Sequence, residues 1–422
     1  MTTKTEDWQS ELKKYEIDPE HKAQVREKFN FRPFKEAAAP TELPKNIVGL
    51  EGLDFSKFQE GPEGLEGRKE LAAQLEEAVT EHGFFKILNF GISQEIIDQI
   101  LSLSQGTFDE PQEVREKFVA GEHNLPEEKD KPLGPIRGSG YKPLGHWRTN
   151  GIPDNIDIFN FRHFTHYDTF FNRTQYPEFV KANLDDIAYY FNFIHREVLR
   201  KVAILLDIIL ELPEGTIYRD YFSVKPEQLT NSPDGFGRFL LYHPVSEDYK
   251  KKTNDIWLSG HTDGGALTFI LSQPILSLQV QDYDTKEWRY VSHTPGALVV
   301  NIADQLRQLS GGYFKSSVHR VVTAPDNQKN YHRNTAIYFS NVTPRAYLDV
   351  DELKSPKLKR LGITYDKSVE RLTAAEWDDL KGEYFNNRDK NWYEKETIRG
   401  RESIGSLREE KIPAVGITTG GN

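Results

Sequence analysis

The chain has 422 residues, and 54 basic against 65 acidic side chains leave a formal charge of -11, a balance that argues against a nucleic-acid partner. A hydrophobic fraction of 37% permits a sizeable core, but no apolar run approaches the ~20 residues that span a bilayer, and the opening MTTKTED lacks a signal peptide, so a soluble cytoplasmic protein without a membrane partner is expected. Zero cysteines exclude disulfides, thiolate zinc sites, iron-sulfur clusters and a cysteine nucleophile, leaving His, Asp, Glu and water for any metal.

Residues 1–45 are charged and broken by prolines, with helix expected over 6–29, and read as an extension. Residues 46–215 read as an α-rich region. Within it, KELAAQLEEAVTEH has apolar positions at helical spacing over 69–82, Gly83 stops the helix, and FFKIL follows as a strand. A second helix is expected over 93–103, loops over 121–160, and a long helical stretch over 177–212, whose leucine and isoleucine stripe is core packing. Over 216–345 the period changes from 3.6 towards 2. Short strands are expected at 236–243, 256–259, 266–271, 275–281, 287–291, 297–302, 316–322 and 335–341, separated by Gly, Pro and Asx turns. Eight such strands predict a mainly β core, a double-sheet jelly roll, with helices before it. Residues 346–422 form a charged extension with one helix near 374–384, a possible lid.

Chemistry concentrates in LSGHTDGG. In extended backbone, residues two apart share a face, so His261 and Asp263 can present a nitrogen and a carboxylate oxygen to one point. His319, in the strand-forming SSVHRVV, taken alone reads as a buried core histidine; with the first pair it completes two imidazoles and one carboxylate. Such a facial triad leaves positions open, as in non-haem Fe(II) oxygenases, although catalytic zinc is also compatible with three protein ligands. Arg333 and Thr335 share a face of the last strand. An arginine aimed into an apolar barrel is costly unless it meets a carboxylate, such as a bound dicarboxylate or a local acid.

Three ordered blocks, EEAVTEHGFFKILNFGI, GHTDGGALTFI and PGALVVNIADQLRQLSGGYFKSSVHRVV, resemble the isopenicillin N synthase-like, 2-oxoglutarate/Fe(II)-dependent dioxygenases over about residues 46–345. The resemblance implies a double-stranded β-helix with Fe(II) on His261, Asp263 and His319, 2-oxoglutarate gripped by Arg333 and Thr335, and O2 as co-reactant. It also implies release of succinate and CO2 during oxidation of a small organic molecule, with specialised metabolite biosynthesis as the expected setting. The retained carboxylate at Asp263 favours hydroxylation, desaturation or oxidative cyclisation over halogenation.

The chain departs from the family pattern in two places. Arg333 lies farther past His319 than usual, a gap that the turn at 325–328 could absorb. The family's Tyr-Pro appears as Tyr242-His243-Pro244, so either Tyr242 or His243 is expected to take the cosubstrate contact. Substrate-facing candidates are Tyr141, His146, Trp147, Arg148, Phe159 and Phe161, which mix aromatic and polar groups in the loop-rich middle, where aromatics also serve to pin loops to a core. The competing functions are a 2-oxoglutarate-independent Fe(II) oxidase, to which His243 lends weight, and a non-catalytic jelly-roll binding protein.

Overall fold

The computed structural model describes residues 7–120, 138–146, 148–149, 152–233, 235–386 and 397–403. Two sheets face each other. The larger has eight strands in the order Gly52–Asp54, Phe84–Leu88, Leu298–Ile302, Leu267–Leu271, Arg333–Ser340, Phe236–Tyr242, Ile156–Arg162 and Gly140–Lys142. The smaller has the order Trp288–Tyr290, Leu278–Gln281, His319–Val322 and Ile256–His261. All pairings in these two sheets are antiparallel except that of Gly52–Asp54 with Phe84–Leu88. Every strand expected between 236 and 341 is present, and the roll also recruits four strands from upstream of residue 216.

The period of 2 divides the large sheet into two buried faces. Ile156, Ile158, Leu240, Tyr242, Ile270, Val299 and Ile337 point inward and pack with Trp257, Leu278, Val280 and Val321 of the small sheet. Their alternates Phe159, Phe161, Phe239, Leu241, Phe269, Leu271, Ala336 and Tyr338 join a second core with the helices Leu65–Glu81, Gln94–Asp109, Leu184–Phe193 and Leu199–Ile209. A strand between two cores has no exposed face, which is why Ile156–Arg162 alternates two buried sets and not apolar with polar. That strand lies in the stretch expected to be loop.

The helical cover also fixes the parity of the last strand. Asn334 donates from Nδ2 to Leu101 O (2.7 Å) and its Oδ1 accepts from Ser104 Oγ (2.5 Å), both on Gln94–Asp109. With Asn334 held outward, Arg333 and Thr335 face the interior. The extra residues before Arg333 form a turn in which Gln328 Nε2 donates to Ala38 O (2.7 Å) and Pro274 O (2.9 Å). The insertion thereby fastens part of the N-terminal extension. Earlier in that extension, Trp8 Nε1 donates to Glu197 (2.9 Å). Among the described residues, no helix is long and apolar enough to cross a membrane.

Candidate metal centre

His261 ends one strand of the small sheet, His319 begins its neighbour, and the register places them directly opposite each other, with ring centroids 4.5 Å apart. Two backbone carbonyls orient the rings: His261 Nδ1 lies 2.9 Å from Ser259 O and His319 Nδ1 lies 3.3 Å from Ser317 O. Each Nδ1–H donating to a carbonyl fixes the tautomer with Nε2 as the inward lone pair. Phe84 meets the His319 ring edge-on, with centroids 5.4 Å apart.

Asp263 lies past the end of its strand and is held by the opposite sheet. Its Oδ2 accepts from Thr268 Oγ1 (2.7 Å) and Asn301 Nδ2 (3.0 Å), residues paired in register on adjacent strands. Its Oδ1 is 3.6 Å from His261 Nε2, and its Oδ2 is 3.7 Å from His319 Nε2. One potential ligand atom from each of the three side chains lies within 4.8 Å of the others, and all three residues are buried. Burial pushes the Asp263 carboxyl up, yet the two imidazoles and the Thr268 hydroxyl outweigh it and hold the group below the ordinary carboxylate range. Burial lowers His319 to about 4 against the attraction of Asp263. An anionic carboxylate at Asp263 and a neutral imidazole at His319 are forms that ligate a divalent cation, so the donor set fits one.

The turn carrying Asp263 is tied down by its backbone. Asp304 N donates to Asp263 O (2.9 Å), Gln305 N to Gly265 O (2.8 Å) and Ala266 N to Ser340 O (2.7 Å). A Cβ on Gly265 would sit 2.5 Å from Asn341 Oδ1 and 2.6 Å from Ser340 O, so this approach requires glycine.

Farther along the interior, Arg333 and Thr335 are 4% and 0% exposed, yet Arg333 Nε and Thr335 Oγ1 have no hydrogen-bond partner among the described residues. Two orphaned polar atoms on one inward face are what a missing carboxylate would satisfy. Arg333 lies 5.0 Å from the centroid of the Tyr242 ring, its register partner, and Tyr242 stacks on Trp257 at 5.4 Å. Burial raises Tyr242 to about 12 in spite of the nearby guanidinium.

Several expected site residues lie elsewhere. His243 is one residue out of phase with Tyr242: its Nε2 meets Asp157 Oδ2 at 2.7 Å on the helix-facing side, so it does not line the interior. Tyr141 donates to the same Asp157, while Phe159 and Phe161 are fully buried in the outer core against Phe239 and Phe191. Period 2 turns these three away from the cluster of His261, Asp263 and His319. His146 is exposed in a turn, Trp147 lies outside the described residues, and Arg148 begins a short strand paired with Ile152–Pro153.

Sequence reasoning passed over Thr268 and Asn301, which position Asp263, and over Asn160 and Arg238, which face inward where Phe159 and Phe161 do not. Arg238 pairs in register with Ile337 and Asn160, and its Nε donates to Asn160 Oδ1 (2.8 Å). It lies over the Phe339 ring at 4.7 Å. Burial lowers its guanidinium to about 10, with Asp263 pulling the other way. The detectable signal was a polar residue in phase with an inward apolar set: Asn301 in LVVNI and Arg238 in FGRFLLY.

Comparison with known proteins agrees with this arrangement. Residues 235–341 match the 2OG-Fe(II) oxygenase superfamily, and residues 50–180 match the non-haem dioxygenase in morphine synthesis N-terminal family; the two regions together make up more than half the chain. A 2-oxoglutarate-dependent dioxygenase of Didymella fabae is 27% identical over 303 residues, covering 68% of this chain and 84% of that protein. Homoarginine-6-hydroxylase 2-ODD-233 of Oryza sativa subsp. japonica is 26% identical over 284 residues, covering 64% and 78%. In fold, the chain is similar to a full-length Neurospora crassa protein crystallised in complex with alpha-KG and thymine, with TM-score 0.62, 19% identity, and 81% and 97% coverage of the two chains. The rice dioxygenase for auxin oxidation gives TM-score 0.58 with 19% identity, covering 79% and 95%. The chain belongs to the 2OG-Fe(II) oxygenase superfamily and is a dioxygenase that uses Fe(II), 2-oxoglutarate and O2.

Proposed function

We propose that His261, Asp263 and His319 hold the Fe(II), that Arg333 and Thr335 take the distal carboxylate of 2-oxoglutarate with Tyr242 beneath the guanidinium, and that the protein oxidises a small organic molecule in specialised metabolism. Bound iron, 2-oxoglutarate and O2 would together supply the oxidant, one oxygen atom of O2 entering succinate as CO2 is lost. The chain's own work is placement: the two carbonyl-anchored imidazoles and the tethered carboxylate fix the metal, and the substrate would be held beside it. The observation that carries this reading is the convergence of three ligand atoms on the same interior that contains the orphaned Arg333 Nε and Thr335 Oγ1. An anaerobic titration with Fe(II) and 2-oxoglutarate tests it by developing a visible charge-transfer band. His261→Ala and His319→Ala must lose the band while remaining folded, and a band that survives either change refutes the ligand set.

The weight that His243 gave to a 2-oxoglutarate-independent oxidase falls away, since its imidazole is engaged by Asp157. Arg238 refines the substrate class. An inward guanidinium within electrostatic reach of Asp263, flanked by Phe236 and Phe339, suits a molecule with an anionic group and an apolar body. Across a panel of carboxylic acids and their neutral amides, the acids should stimulate succinate release by the wild type, and Arg238→Met should lose that preference. Equal stimulation by acid and amide in both proteins refutes the assignment.

A further inference from the structure

We propose that the helix Ala374–Asn386 is part of the scaffold of the metal site, with Lys381 as a positioning residue for the turn that carries His261 and Asp263. This rests on the ligand assignment above and adds to it a segment lying beyond both matched family regions.

Lys381 is 3% exposed and Asp304 1%, and Lys381 Nζ lies 2.9 Å from Asp304 Oδ2. A buried ion pair is retained only where further hydrogen bonds offset its desolvation. Here Asp304 also accepts from Ser316 Oγ (2.9 Å), Ser403 Oγ (2.6 Å) and Thr262 Oγ1 (3.2 Å). Lys381 additionally donates to Thr262 Oγ1 (3.2 Å) and Ser403 Oγ (2.6 Å). An ammonium can only donate, so the Thr262 hydroxyl must accept from Lys381 and give its own proton to Asp304. Thr262 stands between the two ligands, and its side chain is therefore fixed from both sides.

One helical turn earlier, on the same face, Trp377 is fully buried and its Nε1 donates to Gly264 O (3.0 Å), the carbonyl following Asp263. The stem of Lys381 lies against this glycine, where a Cβ would come within 3.0 Å of Lys381 Cγ. Asp378 accepts from Gln305 Nε2 (2.9 Å) and Asn341 Nδ2 (3.3 Å), residues beside the same turn. Lys381 and Trp377 thus press the helix on 262–265 from outside and Asp378 fastens it to the neighbouring Gln305 and Asn341, while Thr268 and Asn301 hold Asp263 from inside. A helix serving only to cover apolar surface would not need a buried ammonium aimed at the residue between two ligands.

The test uses full-length Trp377→Phe, Lys381→Met and the charge-neutral pair Lys381→Met with Asp304→Asn. The Fe(II) dissociation constant is read from the charge-transfer band at saturating 2-oxoglutarate, alongside melting temperatures of the metal-free and Mn(II)-loaded proteins. Loss of an outer-shell partner should weaken Fe(II) binding by roughly 10-fold or more and shrink the metal-induced rise in melting temperature. Variants that melt lower without metal but bind Fe(II) as the wild type does would overturn the proposal, because the helix would then only stabilise the fold. Should Lys381→Met fail to fold, Trp377→Phe, which deletes one hydrogen bond and keeps an aromatic ring, decides the matter by the same readout. A wild type without a charge-transfer band would overturn the metal assignment itself, whereas a normal wild-type band with unchanged variants overturns the brace alone.

Discussion

Replacing Arg333 by methionine separates the requirements of folding from those of cosubstrate binding. The side chain is 4% exposed and its Nε has no partner among the described residues, so the protein without cosubstrate carries an unsatisfied buried donor. Such a group costs about 1–3 kcal/mol, and methionine retains most of the apolar stem while removing it. Losing the guanidinium's contact with Tyr242 offsets part of that gain, so the cosubstrate-free variant should lie within about 1 kcal/mol of the wild type. The opposite holds for binding. Two charge-assisted hydrogen bonds to a carboxylate are worth roughly 1.5–3 kcal/mol each, so losing them should raise the 2-oxoglutarate dissociation constant by about 100-fold or more. Fe(II) binding should barely change, since the guanidinium contacts none of the three ligands. The assay is denaturant unfolding with and without 2-oxoglutarate, paired with the anaerobic titration. The reasoning is refuted if the variant binds 2-oxoglutarate like the wild type, or if its cosubstrate-free form is destabilised by several kcal/mol, which would make Arg333 a structural ion-pair member.

Asn301→Ala removes a donor to Asp263 Oδ2 and should weaken Fe(II) binding by about 10-fold with 2-oxoglutarate affinity retained once metal is saturating; equal Fe(II) affinity in titration counts against the tether. Gly265→Ala should lower stability by about 1–3 kcal/mol, since its Cβ would press on Ser340 O and Asn341 Oδ1; unchanged denaturant unfolding would show that the turn can yield. His195, buried between Tyr338 OH and Phe222 O, is lowered to about 3 by burial first and by Arg196 next. The unfolded chain takes up a proton near pH 6.5 that the folded one refuses, so this contribution is complete above about pH 6.5 and is lost as pH falls towards 3. Between about pH 7 and pH 5 the wild type should lose about 2 kcal/mol more unfolding free energy than His195→Gln; parallel losses would contradict the assignment.

The strands after residue 235 were legible because each is short, β-branched or aromatic, and bounded by turn residues. Ile156–Arg162 was not, because burial on both faces erases the polar alternation that marks a half-buried strand, and the surrounding prolines suggest loop. Aromatic content singles out Phe159 and Phe161, whereas parity in that strand turns Asn160, and not them, toward the interior. The choice between Tyr242 and His243 likewise could not be made by inspection of LLYHP; it depends on which residue stands opposite Arg333, and that register is set by a partner strand far along the chain. His261, Asp263 and His319 stood out because each sits in one of the ordered blocks, and Arg333 because the period of 2 puts it on one face with Thr335; that His319 stands opposite His261 is set by strand register. Thr268, Asn301 and Lys381 act through pairings between distant segments, and no local pattern announces them.

The two imidazoles come from the small sheet, whereas the carboxylate, although it follows the small-sheet strand ending at His261, is tethered to the large one through Thr268 and Asn301. An ion bound to all three would join the two layers. Held by all three, an ion at about a thousandfold excess over its dissociation constant would add about 4 kcal/mol to the stability of the folded roll. The turn between the layers is also held by backbone hydrogen bonds from Asp304 and Gln305 and by the Ser340 carbonyl. If Asp263 were free to follow the small sheet alone, its distance to the large sheet could vary without disturbing the ligands; tied to both, the three donors keep their spacing only while the roll is closed.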